Sequence, residues 1–284
     1  MKAGYIGLGA MGAPMARNLA RAGLLAAVWN RSPAKADALA AELGVAAAAD
    51  PAALAAAVDV AFLCVSADND VLAMVEAMSA GIRPGSVVVD CSTVGSDTAR
   101  RVAALLADRG AAFLDAPVSG GVEGARKGTL AMMVGGEAGV LETVLPVLRA
   151  VAARIVHIGP VGAGQGCKAV NQIMAAGIAQ AVTEALAFGQ AMDLPMDKVI
   201  EVVSGGAAGN WFLDHRGRTM VAGTFQPGFK LGLHHKDLLI CRESAEKLGV
   251  SVPVTEQTIG EYARLMAEGY GDEDISALYR LKSR

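Results

Sequence analysis

Apolar positions in the first half of the chain fall in short, nearly continuous runs, each followed by a stretch with helical spacing. "AGYIG" (3–7) precedes a helical stretch from about Ala10 to Arg21, and "LLAAVWN" (24–30) precedes another beginning near Pro33. "VDVAFLCV" (58–65) and "SVVVDCS" (86–92) are apolar throughout and end in small polar residues. Such runs belong to strands of a parallel sheet buried on both faces. "AAFLDAPV" (111–118), "TLAMMVGG" (129–136) and "ARIVHIG" (153–159) add three more. The alternation predicts an α/β, doubly wound sheet through about residue 160.

After "GPVGAGQG" the period changes. Residues from about 165 to 192 read as one long helix, and "MDKVIEVVSGG", "NWFLDHRGRTMVAG", "KDLLICRESAEKLGV" and "VTEQTIGEYARLMAEGY" keep helical periodicity with no β-type run between them. The expected division is therefore 1–161, carrying the sheet, and 162–284, all-helical. The long helix is apolar around most of its circumference, more than one small helical domain can cover. That predicts a homodimer or homotetramer with this helix at the subunit boundary.

Composition narrows the partners. A net charge of −3 with 19% charged residues gives no basic footprint for nucleic acid. The most apolar helix is interrupted by Gln180, Thr183 and Glu184, which argues against a membrane span. A strand begins directly after Met1 and Lys2, leaving no room for a signal peptide. Cys64, Cys91, Cys167 and Cys241 are scattered without a C-x-x-C pair, and read as small buried hydrophobes in a reducing cytoplasm rather than a disulfide framework.

Candidate chemistry starts at "YIGLGAMGAPMARNLARAG", where Gly7, Gly9 and Gly12 form G-x-G-x-x-G. The motif follows a strand and opens a helix, the context that a dinucleotide fingerprint requires. Gly7 permits the tight turn, Gly9 the approach of the pyrophosphate, and Gly12 the packing of helix on strand. Leu8, Ala10 and Met11 complete the loop at the helix N-terminus, where phosphates sit. The second strand ends in Asn30-Arg31-Ser32, without the Asp or Glu that holds the ribose hydroxyl in NAD sites. Arg31 can clamp a 2′-phosphate, so NADP(H) is expected to be preferred, with NAD(H) the alternative. Val65, Ser66 and Thr93 end two further strands at the sheet edge where such a cofactor lies.

Two other stretches carry the reaction chemistry. Ser119-Gly120-Gly121 allows consecutive amides to converge on an anion such as a substrate carboxylate. Lys168 stands near the start of the long apolar helix, where both burial and the helix dipole oppose a cation. The position is costly for a structural lysine and useful for a general acid/base of lowered pKa. Asn171 and Gln172 lie three and four residues on, on the same helix face, and either is expected to bind the substrate and orient its oxygen. His234 and His235 are adjacent and His157 ends a strand, so no zinc spacing is present.

In that order and spacing, "GLGAMGAPMARNL", "LDAPVSGG", "GTLAMMVGG", "HIGPVGAGQGCKAVNQ" and "GFKLGLHHKDL" resemble the β-hydroxyacid dehydrogenase family over essentially the whole chain. The resemblance implies an N-terminal Rossmann domain, a long connecting helix and a helical domain that builds the oligomer. It implies that Lys168 is the catalytic lysine, that Ser119, Gly120 and Gly121 hold the substrate carboxylate, and that Thr93 and Lys236 contact the cofactor. The expected reaction interconverts a small β-hydroxyacid and its semialdehyde, of the 3-hydroxyisobutyrate or tartronate semialdehyde (2-hydroxy-3-oxopropionate) type. A glyoxylate/succinic semialdehyde reductase is the alternative, and a non-catalytic NADP-binding protein the reading from another class. Many relatives carry Asn four residues after the lysine, where this chain has Gln172. The Asn-Gln pair looks more like tartronate semialdehyde reductases, while Trp211 looks more like the hydroxyisobutyrate branch.

Overall fold

A computed structural model describes residues 1–283. The wholly buried β1 (Ala3–Ile6) leads into α1 (Gly12–Arg21), and β2 (Leu25–Trp29) into α2 (Pro33–Leu43). A two-residue strand, β3 (Ala46–Ala47), and α3 (Pro51–Ala57) follow. Proline at the first position starts both α2 and α3, where its missing N–H costs nothing. The alternation continues with β4 (Val60–Leu63), α4 (Asp68–Met78), β5 (Val87–Asp90), α5 (Ser96–Ala107) and β6 (Ala112–Asp115). Then come β7 (Val118–Ser119), α6 (Gly121–Lys127), β8 (Leu130–Gly135), α7 (Ala138–Leu148) and β9 (Ala152–Gly159).

The sheet order is β3-β2-β1-β4-β5-β6-β8-β7, with β9 paired to β8. Strands β1 to β6 are parallel, and the direction of winding reverses between β1 and β4, opening a crevice at their carboxyl ends. The expectation of parallel pairing fails at β8, which runs antiparallel to β6 and β7. Residues 120–129, between β7 and β8, are fewer than the dozen or so that a parallel crossover needs. β9 lies parallel to β8, but Val156 and Ile158 are exposed, so this run is not buried on both faces.

Alternate residues of each central strand feed two cores. Tyr5, Phe62 and Val89 pack with α1, α2 and α7, while Ile6, Leu63 and Val88 pack with α3, α4 and α5. This two-sided burial is what the near-continuous apolar runs encode.

Beyond Gly159 the described residues form helices: α8 (Ala163–Ala191), α9 (Met196–Ser204), α10 (Trp211–Val221), α11 (Leu231–Leu248), α12 (Pro253–Ala267) and a 3-10 helix, Ile275–Leu281. They enclose a separate core that includes Leu186, Ile200, Leu238 and Tyr262. The chain divides into two compact units, Met1–Lys168 and Ala169–Arg284. By compactness the division falls inside α8, whose first turns are bonded to the sheet.

Candidate active site

The glycine loop is shaped by contacts that exclude a side chain. Gly7 has φ +93°, and a Cβ there would strike the Cys64 carbonyl at the end of β4. A Cβ on Gly12 would strike the Gly7 carbonyl, so α1 closes directly on the turn. At Gly9 nothing lies within 4 Å of the place a Cβ would take, which leaves room for a phosphate to approach the backbone. The loop thus fits the dinucleotide that its motif implies.

Asn30, at the end of β2, serves the loop itself. Its Oδ1 accepts from the Leu8 amide at 2.9 Å, and its Nδ2 donates to the Ser32 carbonyl at 3.2 Å. Arg31 is 88% exposed, and its guanidinium lies 3.6 Å from Asp70 on α4. No local pattern near Arg31 reveals that carboxylate, which comes from a different βα unit.

The ends of β4 and β5 are tied together. The Val65 amide donates to Ser92 Oγ at 2.9 Å, and the Ser92 amide donates to Asp90 Oδ1 at 2.9 Å. Ser66 is exposed and Thr93 half-buried. Asp90 is fully buried, and its Oδ2 has no hydrogen-bond partner among the described residues. Burial pushes its pKa up to about 6, against the bonds from Ser92, with Asp115 and Asp68 adding to the rise. The folded state therefore holds this proton more tightly than the unfolded chain. Its contribution to stability is fully present below about pH 4 and falls as pH rises to about 6, by about 3 kcal/mol. Urea denaturation of the wild type and Asp90→Asn across pH 4–7 is expected to show the wild type losing ground to the variant through that window.

The second half of the site grows from Asp115, the last residue of β6. Its Oδ1 accepts from the Gly162 amide at 2.8 Å and its Oδ2 from the Gln165 amide at 2.9 Å, so a carboxylate caps the N-terminus of α8. Burial raises the Asp115 pKa, and the backbone amides oppose that rise without cancelling it. Gly164 packs so closely on the Asp115 and Met133 carbonyls that no side chain fits.

One turn further, Lys168 is buried, and its Nζ donates to the Val118 carbonyl at 2.8 Å. Val118 immediately precedes Ser119. Gly120 and Gly121 have φ +128° and +60°, a glycine-only turn that opens α6. The structure thus brings the ammonium of Lys168 beside the Ser119-Gly120-Gly121 loop, 50 residues away in the chain.

In the helical unit, Asn171 Nδ2 donates to Gln172 Oε1 at 2.8 Å, and Gln172 Nε2 donates to Asp237 Oδ2 at 2.6 Å. Gln172 is buried, so both of its polar groups are engaged internally, while Asn171 is half-buried. Lys236 Nζ lies 2.8 Å from Asp237 Oδ1. His234 is buried between the Tyr262 hydroxyl and the Gln172 carbonyl, 3.2 Å from each. His157 stands 2.8 Å from the Gly136 carbonyl. Among the described residues no three His, Cys, Asp or Glu side chains are grouped to hold a metal.

Sequence reasoning missed Asp115, Gln165 and Asp237. Asp115 sits inside "LDAPVSGG", and "GQG" precedes the lysine, but neither stretch signals its distant partner.

Residues 2–159 match the family model described as the NAD binding domain of 6-phosphogluconate dehydrogenase. Residues 162–282 match the one described as the NAD-binding region of NADP-dependent 3-hydroxyisobutyrate dehydrogenase. The 2-hydroxy-3-oxopropionate reductase of Escherichia coli is 37% identical, over 98% of this chain and 96% of its own length. The chain belongs to the β-hydroxyacid dehydrogenase family. As a β-hydroxyacid dehydrogenase it is an NAD(P)-dependent oxidoreductase acting on CH–OH groups. The NAD-dependent L-serine dehydrogenase of Pseudomonas aeruginosa is 35% identical, over 98% of this chain and 96% of that one. The solved structure of Mycobacterium tuberculosis 3-hydroxyisobutyrate dehydrogenase with L-serine superposes with a TM-score of 0.90 at 32% identity, covering 99% of this chain and 98% of that one. No helix among the described residues of this β-hydroxyacid dehydrogenase is long and apolar enough to cross a membrane.

Proposed function

We propose that this enzyme interconverts a small carboxylate-bearing β-hydroxyacid and its semialdehyde, of the 3-hydroxyisobutyrate or tartronate semialdehyde type, with NADP(H) preferred over NAD(H). The observation that carries the reading is the Lys168 ammonium, buried and 2.8 Å from the carbonyl that leads into Ser119-Gly120-Gly121. The cofactor, when bound, supplies or accepts the hydride. Lys168 gives a proton to the substrate oxygen during reduction and takes it back during oxidation. The amides of the Ser119-Gly120-Gly121 loop hold the carboxylate, which fixes the reacting carbon. Asn171 orients the oxygen, and Gln172 supports Asn171 through the hydrogen bond between their amides.

Gly7, Leu8, Gly9, Ala10, Met11 and Gly12 form the pyrophosphate cradle. Asn30, Arg31 and Ser32 take the adenosine end, Val65, Ser66 and Thr93 line the remainder, and Lys236 also contacts the cofactor. The exposed guanidinium of Arg31 is available to a 2′-phosphate, and Asp70 beside it limits the preference without abolishing it. Steady-state turnover with NADPH and NADH, over 2-hydroxy-3-oxopropionate, 3-hydroxyisobutyrate, L-serine, glyoxylate and succinic semialdehyde, tests the assignment. Arg31→Ala is expected to raise the KM for NADPH and leave that for NADH nearly unchanged. No turnover with any of these substrates overturns the enzymatic reading in favour of a non-catalytic NADP-binding protein.

The enzyme assembles as a homodimer or homotetramer in the cytoplasm. Val170, Met174 and Phe188 leave an exposed apolar stripe along α8, and Met192, just past its end, is exposed as well. Light scattering at micromolar concentration is expected to give a dimeric or tetrameric mass, and a monomeric mass contradicts it.

A further inference from the structure

We propose that Gln165 is a positioning residue, holding the loop that carries Thr93 in register with the helix that carries Lys168. Gln165 is 3% exposed. Its Nε2 donates to the Ser92 carbonyl at 2.8 Å, and its Oε1 accepts from the Val94 amide at 3.2 Å. One side-chain amide therefore brackets Thr93 on both sides, as the peptide group of a neighbouring strand would. The backbone amide of Gln165 donates in turn to Asp115. Three residues on, Lys168 reaches the Val118 carbonyl. The loop after β5, the end of β6 and the first turns of α8 are thus joined at one residue. A second bond, from Ser96 Oγ to the Gly162 carbonyl, holds the start of α5 to the residue that precedes α8.

The chemistry of the position selects glutamine. It must offer a donor and an acceptor from one planar fork to a carbonyl and an amide that no other described bond satisfies. Leucine of similar size leaves both backbone groups buried and unpaired, so the loop must shift to recover partners. Asparagine is one methylene too short. Glutamate keeps the acceptor for Val94 but sets a carboxylate oxygen against the Ser92 carbonyl, unless that oxygen is protonated and can donate. The inference rests on the proposed function, in which Thr93 contacts the cofactor and Lys168 exchanges the proton. Gln165 touches neither reacting group. It acts by fixing the distance between them.

Gln165→Leu and Gln165→Glu in the full chain test this, read as kcat, KM for NADPH, the isotope effect with 4-deuterated NADPH, and thermal midpoint. Gln165→Leu is expected to lower kcat about 10²-fold, with a much smaller change in the KM for NADPH, because reacting groups are misplaced by a fraction of an ångström to an ångström. Hydride transfer should become rate-limiting, raising the isotope effect. Gln165→Glu is expected to be impaired at neutral pH and to regain activity, as a ratio to wild type at each pH, as the pH falls and the new carboxyl takes up a proton. The neighbouring carboxylates Asp115 and Asp90 favour that proton, and Lys168 opposes it. A merely structural glutamine lowers the thermal midpoint and leaves the kcat and isotope effect of the folded protein unchanged. Wild-type kcat in folded Gln165→Leu overturns the proposal, and if that variant fails to fold, a wild-type pH profile for Gln165→Glu does so. Near-normal turnover by Lys168→Ala would instead defeat the functional reading. An inactive Lys168→Ala beside normal Gln165 variants defeats this inference alone.

Discussion

Lys168→Ala is expected to lower kcat about 10²- to 10⁴-fold, the size of a positioned acid/base contribution, with NADPH binding nearly intact. The residues proposed to hold the pyrophosphate and adenosine follow β1 and β2, whereas Lys168 stands on α8 and donates to the Val118 carbonyl. Lys168→Arg is expected to be almost as damaging. Arginine keeps the charge and can donate to the Val118 carbonyl, but it cannot release a proton near neutral pH. Stopped-flow reduction of a semialdehyde by NADPH, with cofactor binding followed separately by nicotinamide fluorescence, measures both quantities. A lysine needed only for its hydrogen bond to Val118 would tolerate arginine. Near-normal turnover in the folded alanine variant would falsify the acid/base assignment.

The second large effect belongs to Asp115. Asp115→Ala leaves the buried Gly162 and Gln165 amides without an acceptor at the start of α8, and is expected to cost about 2–4 kcal/mol. The relief of a buried carboxylate, whose pKa burial has raised, offsets part of that loss. Asp115→Asn should fall between the two, because its one carbonyl oxygen can accept while its NH₂ faces a second donor. Urea denaturation gives the stability change. The kcat of the folded variants should fall as well, since the same bonds seat the helix that presents Lys168. An alanine variant as stable as wild type would show that α8 is held by packing alone.

Much of the molecule is legible in order along the chain. The β-type runs and helical stretches stand where the apolar pattern puts them, because burial on two sheet faces and on a helix stripe imposes periods that a few residues suffice to display. The turn at Gly7, Gly9 and Gly12 is legible as a motif of six residues, and the close approach of Gly12 to the Gly7 carbonyl lies within it. Lys168 is conspicuous for the same kind of reason, as a cation in an apolar helix that nothing nearby in sequence requires.

Tertiary structure alone decided what surrounds that lysine. Asp115 meets the Gly162 amide across 47 residues, Lys168 meets the Val118 carbonyl across 50, and Gln165 meets the Ser92 carbonyl across 73. The carboxylate beside Arg31 arrives from α4. The reversal at β8 depends on how little chain separates it from β7. None of these has a period or a spacing. Each is a hydrogen bond, ion pair or strand pairing between groups that become neighbours only when the sheet orders its strands, so the sequence by itself could mark Lys168 as chemically costly but could not say which carboxylate caps its helix or which carbonyl accepts its hydrogen bond.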